Sequence, residues 1–328
     1  MKHASGEKSD VGEAALIAEM TAILQRKMAR DYAKGSTLRD AHPKTVGLLR
    51  GTFRVEPDLP ETLRIGLFER SRSFKCWIRF SNASGKSQSD AVPDARGVAI
   101  KVLAPRERGA GSSDVPEQDF VLLNTPVMPL GTVTLFRDAV YYTIESTPLL
   151  LAAKLAVTGR AGVLLGLLKL RGTPNSPLDI RYWSTTPYRF GSDRAVKYSL
   201  MPTSKHRSRK LATPSESYLS QAMQEHLDAH EATFDFCVQF QQPGMPIEDA
   251  AQLWDEAKSP FQKVATLHLP MQKFRNGRRA EQAEALSFSP AHALPEHAPL
   301  GGLNRARSRI YAALSRFRHE RDNRAGQA

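Results

Sequence analysis

Acidic residues are in short supply: 34 Asp and Glu stand against 46 Lys and Arg, a formal charge of +12. A balance of that sign points to nucleic acid or an anionic membrane surface as a partner. The basic residues are scattered, however, and no nucleic-acid motif gathers them, so a nucleic-acid partner is not expected. Cysteine is nearly absent. Cys76 and Cys237 are the only two, too few for a disulfide framework, and the expected compartment is reducing and cytoplasmic. The N-terminal MKHASGEKSD lacks the apolar core of a signal peptide. Long apolar runs are missing too. The most apolar region, 148–170, is interrupted by Lys154, Gly159, Arg160 and Lys169, which excludes a stable membrane span. It reads as two short helices, either buried or in an oligomer contact, or lying on a membrane or partner surface. No P-loop and no G-x-G-x-x-G fingerprint is present.

What remains is a chain of 328 residues, 41% apolar, with enough material for a sizeable core. Ala15, Ile17, Met20, Ile23 and Leu24 form an apolar stripe that predicts a helix over 11–32, stopped by Gly35. Residues 1–10 carry no such pattern and are expected to be disordered. Strand-like runs follow at 48–55, 74–81, 97–103 and 120–124, with a Gly/Ser-rich loop at 108–113. In the second run Phe74, Cys76, Ile78 and Phe80 alternate with Lys75, Trp77, Arg79 and Ser81. A face holding Trp, Arg and Ser suits the wall of a cofactor pocket; it also suits an ordinary outer face. Further along, the pattern predicts a helix over 132–158, an aromatic, turn-rich stretch over 182–191, and strands at 195–201, 234–240 and 265–271. It adds a basic loop at 202–214, a helix at 215–231 and a short acidic helix at 246–257. The pattern supports an α+β class with about eight strands and helices at both ends. His226 and His230 stand at i, i+4 spacing, which can bind zinc, but the glutamate of H-E-x-x-H is replaced, since Leu227 follows His226.

The stretch 303–321, LNRARSRIYAALSRFRHER, organises the rest. Leu303, Ile310, Leu314 and Phe317 recur at helical spacing with no Gly or Pro between them. Arg307 lies four residues before Tyr311 and Arg318 seven after, so all three share a face. A free tyrosine titrates near pH ~10. A cation one turn away favours the phenolate, which is a hard anionic ligand for ferric iron. Taken alone, the stretch also reads as an amphipathic terminal helix with a solvated basic face.

The spacing Arg307, Tyr311, Arg316, Arg318 resembles the proximal haem helix of haem catalases, in which tyrosine ligates the iron. Other pieces match in the same chain order. Arg39-Asp40-Ala41-His42 with Lys44 and Gly47 resembles the segment of the distal histidine. Trp77-Ile78-Arg79-Phe80-Ser81 with Gly85 resembles the V-R-F-S strand, and Asp94-Ala95-Arg96-Gly97-Val98-Ala99 resembles D-x-R-G-F-A. Asp119-Phe120-Val121 with Asn124-Thr125-Pro126 resembles D-L-V-x-N-N-T-P, and Leu286-Ser287-Phe288-Ser289-Pro290 resembles the lead into the proximal helix. The resemblance runs from residue 39 to 318 and is to the small catalase-core proteins called catalase-related peroxidases.

The resemblance implies an antiparallel β-barrel with surrounding helices. It implies an N-terminal arm over 1–35 and a single haem-binding core over 36–328, ending in the proximal helix. It implies ferric haem b with Tyr311 as axial tyrosinate and Arg307 beside it. Arg39, Arg79 and Arg318 are candidate propionate partners, because guanidinium binds carboxylate bidentately. His42 is the candidate acid–base residue for peroxide, with Pro43 expected to hold its backbone extended, and Ser81 is expected to orient it. One departure stands out. In the family the first asparagine of N-N-T-P reaches the peroxide, and Leu123 holds that place here. Either Asn124 serves after a backbone shift or the distal donor is missing. The expected activity is oxidation of small donors by hydrogen peroxide or organic hydroperoxides, with weak catalase activity at most and a role in peroxide defence. Rearrangement of a fatty-acid hydroperoxide and haem binding without catalysis are the alternatives. A homo-oligomer is expected, a dimer first, with peripheral membrane contact as an option.

Overall fold

The structure is a computed structural model and describes residues 12–103, 117–209 and 214–322. The expected disorder at 1–10, the loop at 108–113 and part of the 202–214 loop lie outside the described residues.

Alternation of apolar residues drives a meander of β1 (Thr45–Val55), β2 (Ser73–Asn82), β3 (Arg96–Leu103) and β4 (Glu117–Leu123). After an interval of helices come β5 (Tyr182–Trp183), β6 (Tyr188–Phe190), β7 (Arg194–Pro202), β8 (Ala232–Phe240) and β9 (Gln262–Leu269). Neighbours run antiparallel in the order β5-β4-β3-β2-β1-β9-β8-β7, and β5 pairs back onto β7. The result is a closed antiparallel barrel of eight strands, with β6 added along β7. Closure leaves no free edge on the ring. The barrel is filled by one face of each strand. Phe74, Cys76, Ile78 and Phe80 of β2 all point inward as their alternation requires. The centre is aromatic: the Phe120 and Phe236 rings lie 4.6 Å apart and Phe53 and Phe236 5.1 Å apart.

Three helices cover one side of the barrel. α1 (Glu13–Asp31), α2 (Val133–Ile144) and α7 (Gly302–Arg321) meet through Ile17, Met20, Leu24, Val133, Ala306 and Ile310. The start of α7 is fixed with care. Gly301 has φ +83°, and a Cβ there would lie 2.4 Å from the Ile247 carbonyl oxygen, so only glycine fits. Gly302 N–H donates to Glu248 at 2.7 Å, and Arg305 bridges Glu13 and Glu248 at 2.8 and 3.0 Å. Carboxylates at a helix N-terminus are where the macrodipole favours them.

Several expectations need correction. The helix expected over 132–158 is two, because Pro148 has no N–H to continue the first. Thr147 caps the second, α3 (Pro148–Val157), and α4 (Gly162–Lys169) follows. Of this apolar pair only Leu151 and Leu155 are buried, and α4 buries nothing fully. The acidic helix expected over 246–257 is a run of turns. Asp249 and Asp255 accept the backbone N–H groups of Ala251 and Ala257, both at 2.9 Å, local bonds that compete with helix formation. The stretch 182–191 holds the short strands β5 and β6 besides its turns. The helix over 215–231 is α5 (Tyr218–Ala229). One further helix, α6 (Gly277–Ala285), has only Ala283 buried and thus no apolar stripe to announce it.

Candidate functional site

A pocket of about 790 Å³, its open mouth included, lies outside the barrel. Its floor is the outer face of β2–β4, with Arg79, Ser81, Gly97, Ala99 and Val121. Tyr311, Leu314, Ser315 and Arg318 of α7 form the facing wall. Arg39 to His42 and Met28 of α1 close one side, and Ser287 and Phe288 another. The alternation that turns Ile78 and Phe80 of β2 into the barrel delivers Arg79 and Ser81 to the pocket on the other face.

His42 has φ +58°, a left-handed conformation and not the extended one expected before Pro43. For a non-glycine residue this costs about 1–2 kcal/mol. Two bonds hold it there: Arg79 Nη2 donates to the His42 carbonyl at 2.7 Å, and Nδ1 shares a hydrogen bond with Ser81 Oγ at 2.9 Å. The ring lies directly on Gly97. A Cβ at that position would be 2.6 Å from Cε1 and 2.8 Å from Nδ1, so the glycine is what admits the imidazole. Burial, then the charges of Arg79, Arg307 and Arg39, push the His42 pKa down to about 3. The imidazole is therefore neutral across the physiological range.

The arginines converge as a group. Arg39 Nη1 and Arg318 Nη1 both donate to Glu284 Oε2, at 2.8 and 3.2 Å. Thr45 Oγ1 donates to the same carboxylate at 3.3 Å and accepts Arg79 Nε at 3.1 Å. Arg79 is 4% exposed, and among the described residues it makes no ion pair. Burial and the neighbouring Arg39 work against its charge, yet a guanidinium keeps its proton in proteins. It is a buried cation whose hydrogen-bond partners are neutral. Glu284 is the residue that sequence reasoning missed. It stands 245 positions from Arg39, and no local signal ties them.

Tyr311 faces the pocket, and the Arg307 guanidinium stands 5.5 Å from its ring centroid. Burial works against the Arg307 charge, but Tyr311 and Tyr188 outweigh it and raise its pKa. Arg307 is aimed by Thr186 Oγ1 at 3.0 Å and Asn304 Oδ1 at 3.1 Å. Thus His42, Ser81, Arg39, Arg79, Tyr311 and Arg318 share one pocket, with Arg307 behind Tyr311.

Other expected residues stand elsewhere. The Asn124 carboxamide oxygen accepts the Arg96 N–H at 2.7 Å, outside the pocket lining. The β3–β4 register is regular up to Gly97↔Leu123, so no backbone shift brings Asn124 inward. Trp77 lies between Arg50 and Arg279, whose guanidiniums are 5.2 and 4.8 Å from its ring centroid, and not in the pocket wall. His226 and His230 are joined by His206, with ring centroids 4.6 and 4.5 Å from it. Among the described residues the one group whose three ligand atoms converge is Glu117, Asp119 and His292. Lys101 Nζ is 3.1 Å from Asp119, so an ammonium already serves as that group's cation.

No family model matches the sequence, and no curated protein matches it. Solved structures do. A fungal catalase aligns with a TM-score of 0.71 and 20% identity, over 89% of this chain and 61% of that one. Catalase A from Saccharomyces cerevisiae gives 0.69 and 19%, over 89% and 63%. A bacterial catalase gives 0.68 and 16%, over 97% and 63%. The chain therefore spans less than two thirds of each of these catalases. The likeness is one of architecture, and it is extensive: the chain has the catalase-like α+β fold.

Proposed function

We propose that this protein is a haem-dependent peroxidase, using hydrogen peroxide or an organic hydroperoxide to oxidise small donors, with weak catalase activity or none. The observation that carries the reading is the charge of the pocket. Arg39, Arg79 and Arg318 meet there, with Arg307 behind Tyr311; Glu284 pairs with Arg39 and Arg318, and Arg79 has no anion of its own among the described residues. That surplus fits a flat organic dianion. Residues 36–328 would then be the haem-binding core and 1–35 an arm, which reaches the pocket through Met28.

In this reading Arg79, Arg39 and Arg318 would hold the haem carboxylates, and Tyr311 would supply an oxygen ligand to the iron. Bound haem b supplies the redox chemistry of iron. Arg307 places its guanidinium 5.5 Å from the centre of the Tyr311 ring. His42 does the proton work. Its neutral imidazole would accept a proton from a peroxide held in the pocket and later give it back. Ser81 at Nδ1 fixes the ring so that Nε2 is the working atom. Leu123, with Asn124 engaged by Arg96, leaves peroxide without a carboxamide donor. That supports donor oxidation over dismutation of a second peroxide.

The test is an absorption spectrum after reconstitution with hemin, beside Tyr311→Phe. A high-spin ferric spectrum of tyrosinate type, lost or shifted in the variant, is expected, with donor oxidation outpacing oxygen release. Identical weak spectra from both proteins would end the reading.

A further inference from the structure

Helices α3 and α4 form a hairpin that turns at Gly159, whose φ is +69°. Its inner side chains, Leu151, Leu155, Val163, Leu164 and Leu167, pack with Leu130 and Leu135. Its outer ones stand in water. Leu149 is 78% exposed, Leu150 52%, Val157 89%, Leu165 60% and Leu168 63%. Eight large hydrophobic residues are exposed in the described chain, and these are five of them. Helices that are apolar all round belong in apolar surroundings, and a contiguous exposed patch of this kind marks a contact surface.

The charges around the patch indicate what covers it. From 146 to 178 the sequence contains no Asp or Glu, but it contains Lys154, Arg160, Lys169 and Arg171. Lys154 is paired with Asp138 at 2.8 Å. Arg160, Lys169 and Arg171 are exposed and, among the described residues, have no ion-pair partner. A second copy docked about a two-fold axis would bring these cations against the same cations. An anionic lipid surface neutralises them, and the +12 charge of the whole chain adds to the attraction.

We propose that the α3–α4 hairpin seats this protein on an anionic lipid bilayer. The outer leucines and Val157 enter the boundary of the acyl region, and Arg160, Lys169 and Arg171 lie among the phosphates. The hairpin lies on the bilayer and does not cross it. Helices of 10 and 8 residues are about 15 and 12 Å long, against a hydrocarbon core of about 30 Å. No helix among the described residues is long and apolar enough to span. The hairpin is also tied to the pocket. Gly172 exchanges backbone hydrogen bonds with Asp94 at 3.1 and 3.2 Å, and Arg96 Nη2 donates to the Gly172 carbonyl at 3.2 Å. Arg96 is followed directly by Gly97, on which His42 rests. Docking thus fixes how the pocket stands relative to the bilayer.

The test is flotation of the full chain with phosphatidylcholine vesicles containing about a third phosphatidylglycerol, and with pure phosphatidylcholine vesicles. Wild type is expected to float with the anionic vesicles and less in high salt. The double variant Leu165→Glu, Leu168→Glu loses binding at least tenfold, since each exposed leucine that enters lipid contributes about that factor. Arg160→Glu with Lys169→Glu removes the preference for anionic over neutral vesicles. Leu149→Glu, on the other helix, repeats the leucine test should the first pair not fold. Wild type that stays at the bottom of the gradient overturns the proposal, and so does binding unchanged by the glutamates. A molar mass that halves in the leucine variant also overturns it, because a second copy then covers the face.

Discussion

The inside of the barrel and the outer wall of the same strands each bury a histidine, and they do so by opposite means. His297 is fully buried at the barrel end between the rings of Phe68 and Phe190, with centroids 5.2 and 5.6 Å away. Its Nε2 accepts the Leu67 N–H at 3.1 Å, and burial pushes its pKa down to about 4. His42 sits on the outer wall, where burial and three arginines push it down to about 3. Apolar packing and gathered positive charge reach the same neutral imidazole. What differs is access: the His42 ring opens on a pocket, whereas the His297 ring is enclosed. The comparison shows how one sheet can carry a rigid interior and a chemically poised exterior, because alternation sends successive residues to each.

If the interior is responsible for stability and the wall for chemistry, variants should separate them. The largest effect is expected for Phe236→Ala, which empties the aromatic centre beside Phe53 and Phe120. It should cost about 3–5 kcal/mol in denaturant unfolding; a loss under about 1 kcal/mol would mean that the interior is not close-packed. Gly97→Ala comes next. Its methyl group would displace the His42 ring, so peroxide consumption should fall about 10²-fold with the unfolding midpoint nearly unmoved. Unchanged kinetics would detach His42 from the chemistry. The third effect is that of acid. An unfolded histidine protonates near 6.5, folded His297 near 4 and folded His42 near 3. Below about pH 6.5 the unfolded chain therefore binds more protons. Stability should fall as pH drops from 6.5 and level off toward 3, with no contribution from either group above 6.5. Urea midpoints at pH 7 and pH 5 should differ less in His297→Gln than in wild type; an equal difference would remove His297 from the linkage.

Legibility in the sequence follows locality. α7 is readable because an apolar stripe with period 3.6 and the Arg–Tyr–Arg spacing sit within one helix. β2 is readable because its alternation is strict. Closure of the barrel is not, since β5 has two residues and β6 three, too few to show a period. The pocket is only partly legible. Helical spacing puts Arg318 on the Tyr311 face and the resemblance nominates Arg39, but the carboxylate between them is supplied by Glu284, at the end of a helix without a stripe. Trp77 follows its strand face outward, as alternation requires, and then stacks on Arg50 and Arg279. The left-handed turn at His42 depends on a bond from Arg79, 37 residues away, so no dipeptide rule reaches it.

The brevity of β5 has a mechanical consequence. One register pair joins it to β4 and two join it to β7, against seven between β3 and β4. A hoop parts where its lacing is thinnest, so the amides of Tyr182 and Trp183 should be the first of the ring to exchange with solvent. The barrel then unrolls from β4, the strand that brings Val121 to the pocket. One wall of the pocket is thus braced by the continuous sheet, and the opposite margin is hung on a clasp.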